Sequence, residues 1–221
     1  MSFDALLGND RLKQNLAESL AKNHISHFYL ISGPKGSGKR TLATLLAQAI
    51  LCQGSGRPCG KCESCRKINN RNHPDFITVE DPEHKNVAVR IVRQFREDVF
   101  IRPNESDYKV YLFPQDLGVE GQNALLKILE EPPKYGIFLL LTDNPEKILP
   151  TVRSRCTELK MQALDQAPLR TYLSARYPDV SAEDIAAATL RSGGFLGQAL
   201  ELLESGGSLP PQTADFARAI G

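Results

Sequence analysis

Apolar residues recur along this chain at two different periods. Over residues 10–23, Leu12, Leu16 and Leu20 fall four apart, the spacing of one helix face. Residues 27–31 form a short unbroken apolar run that ends at a glycine-rich turn, the pattern of a strand buried on both faces. Helical spacing returns over 38–51, with Leu42, Leu45, Leu46, Ala49 and Ile50 on one side. Residues 75–79 predict a strand bounded by Pro74 and Pro82. Residues 87–100 predict a helix with Ile91, Val92, Phe95 and Val99 on its inner face. A strand over 109–113 follows, then a helix over 122–131 stopped by Pro132 and Pro133, which cannot continue it. Residues 137–142 read as a buried strand and 157–161 as a last short one. Strands alternating with helices predict an α/β fold, a mainly parallel five-stranded sheet with helices on both faces.

Beyond about residue 163 the strand patterns stop. Residues 166–176, 182–191 and 196–204 have helical spacing. Ser181 precedes the second of these with Asp184 three residues on, a helix-start signal, and Gly193-Gly194 separates the second from the third. A helical domain of about 45 residues is small for independent stability, so it is expected to pack on the first domain. The organisation expected is a domain over 1–162, a small helical domain over 163–205, and a linker with the start of a further helix over 206–221, as though another domain followed. No internal repeat or low-complexity tract interrupts it.

Composition narrows the class. With 221 residues, 41% hydrophobic and 24% charged, the chain is neither disordered, collagenous nor disulfide-dense. Its longest clean apolar run, Ile137 to Leu141, is far short of the ~20 residues that span a bilayer. Residues 1–10 lack a basic start and an apolar stretch, so a cytoplasmic location is expected. A net charge of +1 announces neither nucleic acid nor membrane.

Two motifs carry chemistry. Gly33-Pro34-Lys35-Gly36-Ser37-Gly38-Lys39-Arg40 follows a predicted strand and opens a predicted helix, the context of a phosphate-binding P-loop. Its glycines let backbone N–H groups converge, the helix start adds positive dipole, and Lys39 adds a full charge. The residue after the lysine should carry a hydroxyl for Mg²⁺, but it is Arg40, and Thr41 is rotated by about 100° onto another face. An ATPase also needs an acid at the end of a second strand to hold the metal. After Val110-Tyr111-Leu112-Phe113 stand Pro114-Gln115, with Asp116 beyond the required point. Both departures are on the metal side, so efficient ATP/Mg²⁺ chemistry is not expected. The bland alternative is a glycine-rich turn without a ligand.

The second motif is Cys52, Cys59, Cys62 and Cys65, set among Gly54, Gly56, Pro58 and Gly60. In a reducing compartment clustered cysteines point to metal, and four thiolates suit one structural Zn²⁺ with no open position for catalysis. The module is expected over about 52–72. Arg57, Lys61, Arg66, Lys67 and Arg71 face only Glu63 there, which offers either a nucleic-acid patch or charge offsetting the thiolates. Among lone residues, His27 reads as a packing residue, His73 as a turn residue, Cys156 as a small buried residue and Lys127 as a helix-surface residue that faces solvent, DNA or a neighbour.

Three stretches together carry a resemblance: the P-loop with its four-cysteine insert, Asn123-Ala124-Leu125-Leu126-Lys127 running to Glu130-Glu131-Pro132-Pro133, and Ser154-Arg155-Cys156. The chain resembles the AAA+ subunits of the bacterial sliding-clamp loader of DNA polymerase III over almost its whole length. The resemblance implies a P-loop AAA+ domain with a zinc insert, followed by a helical lid. It implies a hetero-pentamer with gamma/tau and delta subunits, acting on the sliding clamp and primed DNA. Motor subunits of that family keep a hydroxyl after the P-loop lysine, acids after the second strand and an arginine in the lid. Here these positions are Arg40, Pro114-Gln115 and Gly197, while Ser154-Arg155-Cys156 is kept and Thr142 stands at the sensor-1 position. That combination looks like the non-motor type, delta prime, with no ATPase activity of its own and with Arg155 supplied in trans to a neighbour's γ-phosphate. Lacking the collar domain usual in the family, the chain alone is expected to be monomeric. The alternatives are an active gamma/tau-like ATPase with unusual Mg²⁺ ligation, and a zinc-dependent nucleic-acid binder on a degenerate P-loop scaffold.

Overall fold

The computed structural model describes residues 3–205. The expected linker and further helix over 206–221 lie outside the described residues. β1 (Phe28–Ser32), β2 (Phe76–Thr78), β3 (Lys109–Phe113), β4 (Gly136–Thr142) and β5 (Thr157–Lys160) form one sheet in the order β2-β3-β4-β1-β5. Every neighbouring pair is parallel. The α/β expectation holds. The three central strands are buried along their whole length, which explains why they read as unbroken apolar runs.

Alternate residues of the sheet feed two cores. Ile31, Val110, Leu112, Ile137 and Leu139 meet Leu16 of α1 (Asp10–Ala21) and Leu42 and Leu46 of α2 (Lys39–Leu51). On the other face Leu30, Tyr111, Phe113 and Phe138 meet Val92 and Phe95 of α4 (Val89–Asp98) and Leu125 and Ile128 of α5 (Val119–Glu130). Phe28 stacks on Phe138 at 4.3 Å, and Phe95 meets Tyr111 and Phe113 edge-on. Helix α5 begins three residues before the periodicity suggested, because Gly118 supplies an extended N-cap and its first turn, Val119-Glu120-Gly121-Gln122, carries no apolar period.

Two short helices escaped the pattern. α3 (Glu63–Asn69) lies inside the cysteine insert, and α6 (Pro150–Arg153) has a single turn. Neither is long enough to show a helical period. The chain divides into two compact units: Met1–Pro34 with Gly38–Gln162, and Lys35–Ser37 with the described chain from Ala163 onward. In the second unit α7 (Gln166–Arg176), α8 (Ala182–Arg191) and α9 (Leu196–Glu204) enclose Leu169, Leu173, Ile185 and Ala199. Ser181 caps α8 by accepting the Asp184 N–H at 3.1 Å.

Candidate metal centre and phosphate loop

Cys52 is the C-cap of α2, Cys62 the N-cap of α3, and Cys65 lies in the first turn of α3. Cys59 sits on the loop between them. Their sulfurs all lie within 4.8 Å of one another, and Cys52 and Cys62 are 3.8 Å apart. A tetrahedron with Zn–S bonds of ~2.3 Å has sulfur–sulfur edges of about 3.8 Å, so the four fit one zinc ion. A Cβ at Gly54 would lie 2.9 Å from the Cys59 sulfur, so glycine is needed for the loop to close. Burial pushes the Cys52 and Cys65 thiols up. Backbone N–H groups of Lys61 and Cys62 bring Cys59 down. Burial also opposes ionisation of Cys62, yet the N–H groups of Cys65 and Gln53 and the adjacent thiols bring it down to about 6. Two acidic thiols beside two buried ones form a donor set that a dication completes by displacing the remaining protons. The chain thus holds four cysteines positioned to coordinate a metal, consistent with a structural Zn²⁺ that leaves no ligand position open.

Asp81, Glu83 and His84 also bring ligand atoms within 4.8 Å. There the buried Asp81 carboxylate already accepts from the Glu83 N–H and meets His84 Nδ1 at 3.0 Å.

The P-loop lysine is engaged by its own chain. Lys39 Nζ donates to the Gly33 and Pro34 carbonyls at 2.6 and 2.9 Å and pairs with Asp143 at 2.6 Å. Arg40 turns instead to Glu80, past the end of β2, at 3.0 Å. Thr41 is exposed. Gly38, at φ +90°, turns the loop into α2, and a Cβ there would lie 3.1 Å from Leu6. Within the second unit the Gly197 N–H donates to the Gly36 carbonyl at 2.8 Å, and a Cβ on Gly197 would lie 2.6 Å from Gly36 Cα. No side chain longer than hydrogen fits at residue 197 in this arrangement.

Beyond β3, Gln115 is fully used. Its Oε1 accepts the Asp81 N–H at 2.7 Å, and its Nε2 donates to the Asp81 and His84 carbonyls at 2.9 and 2.8 Å. Thr142, buried at the end of β4, donates to Asp116 Oδ1 at 3.0 Å or to the Asn144 carbonyl. Lys147 stands 3.7 Å from the other Asp116 oxygen.

Arg155 follows α6 and stays 40% exposed. It donates to the Thr151 carbonyl at 2.8 Å and meets Glu130 at 3.4 Å. Sequence reasoning missed Gln122, which is buried in α5. Its Nε2 donates to the Leu117 and Lys147 carbonyls and its Oε1 accepts the Leu149 N–H at 2.7 Å, so it holds the segment that leads into α6. Its only signal was a polar residue on the apolar side of a helix.

His73 was read too narrowly. Its carbonyl does close a turn to Phe76, but its ring is buried against Ser64 and Asp75. Cys156 is half-buried rather than buried, and burial still raises its thiol to about 11. Lys127 is exposed, and His27 Nδ1 meets the Gly136 carbonyl at 2.8 Å.

The family described as DNA polymerase III, delta subunit, matches residues 8–165. The tau/gamma subunit of Haemophilus influenzae is 35% identical over 177 residues, 78% of this chain and 25% of that protein. The tau subunit of Bacillus subtilis is 37% identical over 158 residues, 70% of this chain and 28% of that protein. The chain therefore spans about a quarter of these relatives' length. Among solved structures, a gamma subunit-related protein of Thermotoga maritima aligns with 91% of this chain and 64% of its own at TM-score 0.55 and 19% identity. The RuvB Holliday junction branch migration motor of Thermotoga maritima aligns with 92% of this chain and 63% of its own at TM-score 0.57 and 17% identity. These two likenesses show the fold alone.

Proposed function

This chain belongs to the DNA polymerase III delta-subunit family, within the bacterial clamp-loader gamma/tau/delta group of AAA+ proteins, and from that premise we propose that it is a non-catalytic subunit of the delta-prime type. In this reading it scaffolds a hetero-pentamer with gamma/tau and delta subunits in the cytoplasm, where the assembly places the sliding clamp on primed DNA. The observation that carries it is Gln115. At the second of the two positions, Pro114-Gln115, where the motor pattern carries its acids, this side chain spends both ends on the backbone of the 81–84 turn. Arg40, engaged with Glu80, likewise supplies no hydroxyl for Mg²⁺. No described helix is long and apolar enough to cross a membrane.

Arg155 is this chain's contribution to catalysis, made in a neighbour's site. A guanidinium on a transferring phosphoryl group stabilises charge spread over its oxygens, worth roughly 10³–10⁵ in rate in GTPases, and its planar fork is not replaced by lysine. Its exposure and its long contact to Glu130 leave it free to exchange partners. The test is assembly with gamma/tau-type and delta-type subunits and the clamp. Arg155→Ala should keep assembly and zinc content but lower DNA-stimulated ATP hydrolysis and clamp loading. Clamp loading at the wild-type rate would refute the assignment.

A second reading is favoured by the likeness itself, because the relatives named above are gamma and tau subunits. As an active gamma/tau-like ATPase, the chain alone would turn over ATP, and Lys39→Ala would abolish that turnover. The non-catalytic reading expects no turnover in either protein.

A further inference from the structure

The four cysteines come from two pieces of chain, Cys52 at the end of α2 and the other three after a glycine-rich loop. Something must hold the pieces in register. Ser64, buried between Cys62 and Cys65, donates its hydroxyl to the Leu51 carbonyl at 2.8 Å, one residue before Cys52. With its proton so used, Ser64 Oγ faces His73 Nε2 at 3.0 Å as an acceptor. The other ring nitrogen, Nδ1, accepts the Asp75 N–H at 3.0 Å. A neutral ring that accepts at Nδ1 carries its proton on Nε2, so the backbone of Asp75 selects the tautomer that donates to Ser64. Asp75 is itself fixed, since its buried carboxylate accepts the N–H groups of Asn104, Glu105 and Ser106 at 2.6–3.0 Å. A second tie runs parallel, from Gln48 Nε2 of α2 to the Cys65 carbonyl at 3.2 Å and to Asn69 at 2.7 Å.

We propose that Ser64, oriented by His73, is a positioning residue for the metal centre, locking Cys62 and Cys65 against Cys52 before any metal binds. Partners behind a metal's own ligands typically carry about 10–100-fold in metal affinity, because they remove the cost of organising the ligands. The lock uses one specific atom, the Nε2 donor, so it makes a distinction that general packing does not. Glutamine at residue 73 reaches with its amide nitrogen to the Nε2 position, whereas asparagine reaches only the Nδ1 position.

The experiment measures zinc affinity and release to a chromophoric chelator for the whole chain and for Ser64→Ala, His73→Asn and His73→Gln. Co²⁺ absorption reports the ligand geometry, and far-UV circular dichroism reports the sheet. Ser64→Ala and His73→Asn should weaken zinc binding about 10–100-fold and alter the Co²⁺ bands. His73→Gln should stay close to wild type on both readouts. Wild-type affinity in Ser64→Ala would overturn the proposal. So would equal impairment by glutamine and asparagine, which would assign His73 a space-filling role. If Ser64→Ala loses its fold, the contrast between glutamine and asparagine decides alone.

Discussion

Gln115→Ala tests whether Gln115, two residues beyond β3, is a structural brace. The substitution deletes three hydrogen bonds and leaves the Asp81 N–H, on a buried residue, without its acceptor. A typical bond contributes a net ~0.5–1.5 kcal/mol, and water can replace the exposed partner at His84, so a loss of about 2 kcal/mol is expected. For a domain of this size that lowers Tm by about 4–8 °C. Gln115→Glu is the sharper perturbation, since it places an acid at the second of the two positions where the motor pattern carries acids. A carboxylate accepts but does not donate, so it would face the Asp81 and His84 carbonyls at under 3 Å with no proton between them. Its pKa would be raised in the folded state. The destabilisation should therefore be largest at neutral pH and relax as pH falls through the raised folded value toward the ordinary glutamate value of about 4.3. Urea unfolding of both variants at pH 7 and pH 4.5, with zinc content as a control, measures this. A Gln115→Ala variant within about 0.5 kcal/mol of wild type, or a Gln115→Glu variant as stable as wild type at pH 7, would refute the brace.

Three other outcomes follow from the same geometry. Burial holds the His73 pKa below its ordinary value, so unfolded chains take up the proton first. The stability it confers is full above about pH 6.5 and is lost as pH falls toward the folded value, and His73→Gln should remove that slope from a pH series of melting curves. Removing zinc by chelation, or Cys62→Ser, should loosen the insert while the sheet keeps its circular dichroism, because the buried strands hold their core on both faces without it. Gln122→Leu removes three hydrogen bonds of a buried side chain and should cost about 2–4 kcal/mol, with hydrogen exchange rising at Leu149 before other amides of its unit.

The sheet was legible because its central strands are buried on both faces and cannot hide their apolar runs. The cysteine set was legible because metal geometry constrains spacing more tightly than packing does. What the sequence hid is polar. Gln115 and Gln122 act through backbone atoms far along the chain, and a backbone carbonyl leaves no mark on the sequence that names its partner; His73 acts through the Ser64 hydroxyl, one serine among many in the sequence. Helix α3 was hidden for a related reason. Its Cys62 N-cap accepts the Cys65 N–H through sulfur, a capping signal that is read more readily from serine or aspartate.

In the non-catalytic reading, the departures from the motor pattern share a physical logic. Each residue that replaces a motor residue makes a contact the motor residue could not make. A serine or threonine at residue 40 would be too short to reach Glu80, which Arg40 meets at 3.0 Å. An acid at residue 115 could not donate to two carbonyls, as Gln115 does. Within the second unit, an arginine at residue 197 would drive its Cβ to 2.6 Å from Gly36, whose carbonyl instead takes the Gly197 N–H. The exposed Arg40 pair contributes at most about 1 kcal/mol, while the close approach at Gly197 and the Gln115 brace are worth more. Introducing all three motor residues together should therefore lower stability before it yields any turnover, with Arg40→Ser the mildest step and Gly197→Arg the most damaging. Melting curves of the three single variants and the triple variant test this ordering. A triple variant that is as stable as wild type and hydrolyses ATP would show that these contacts do not oppose the motor residues.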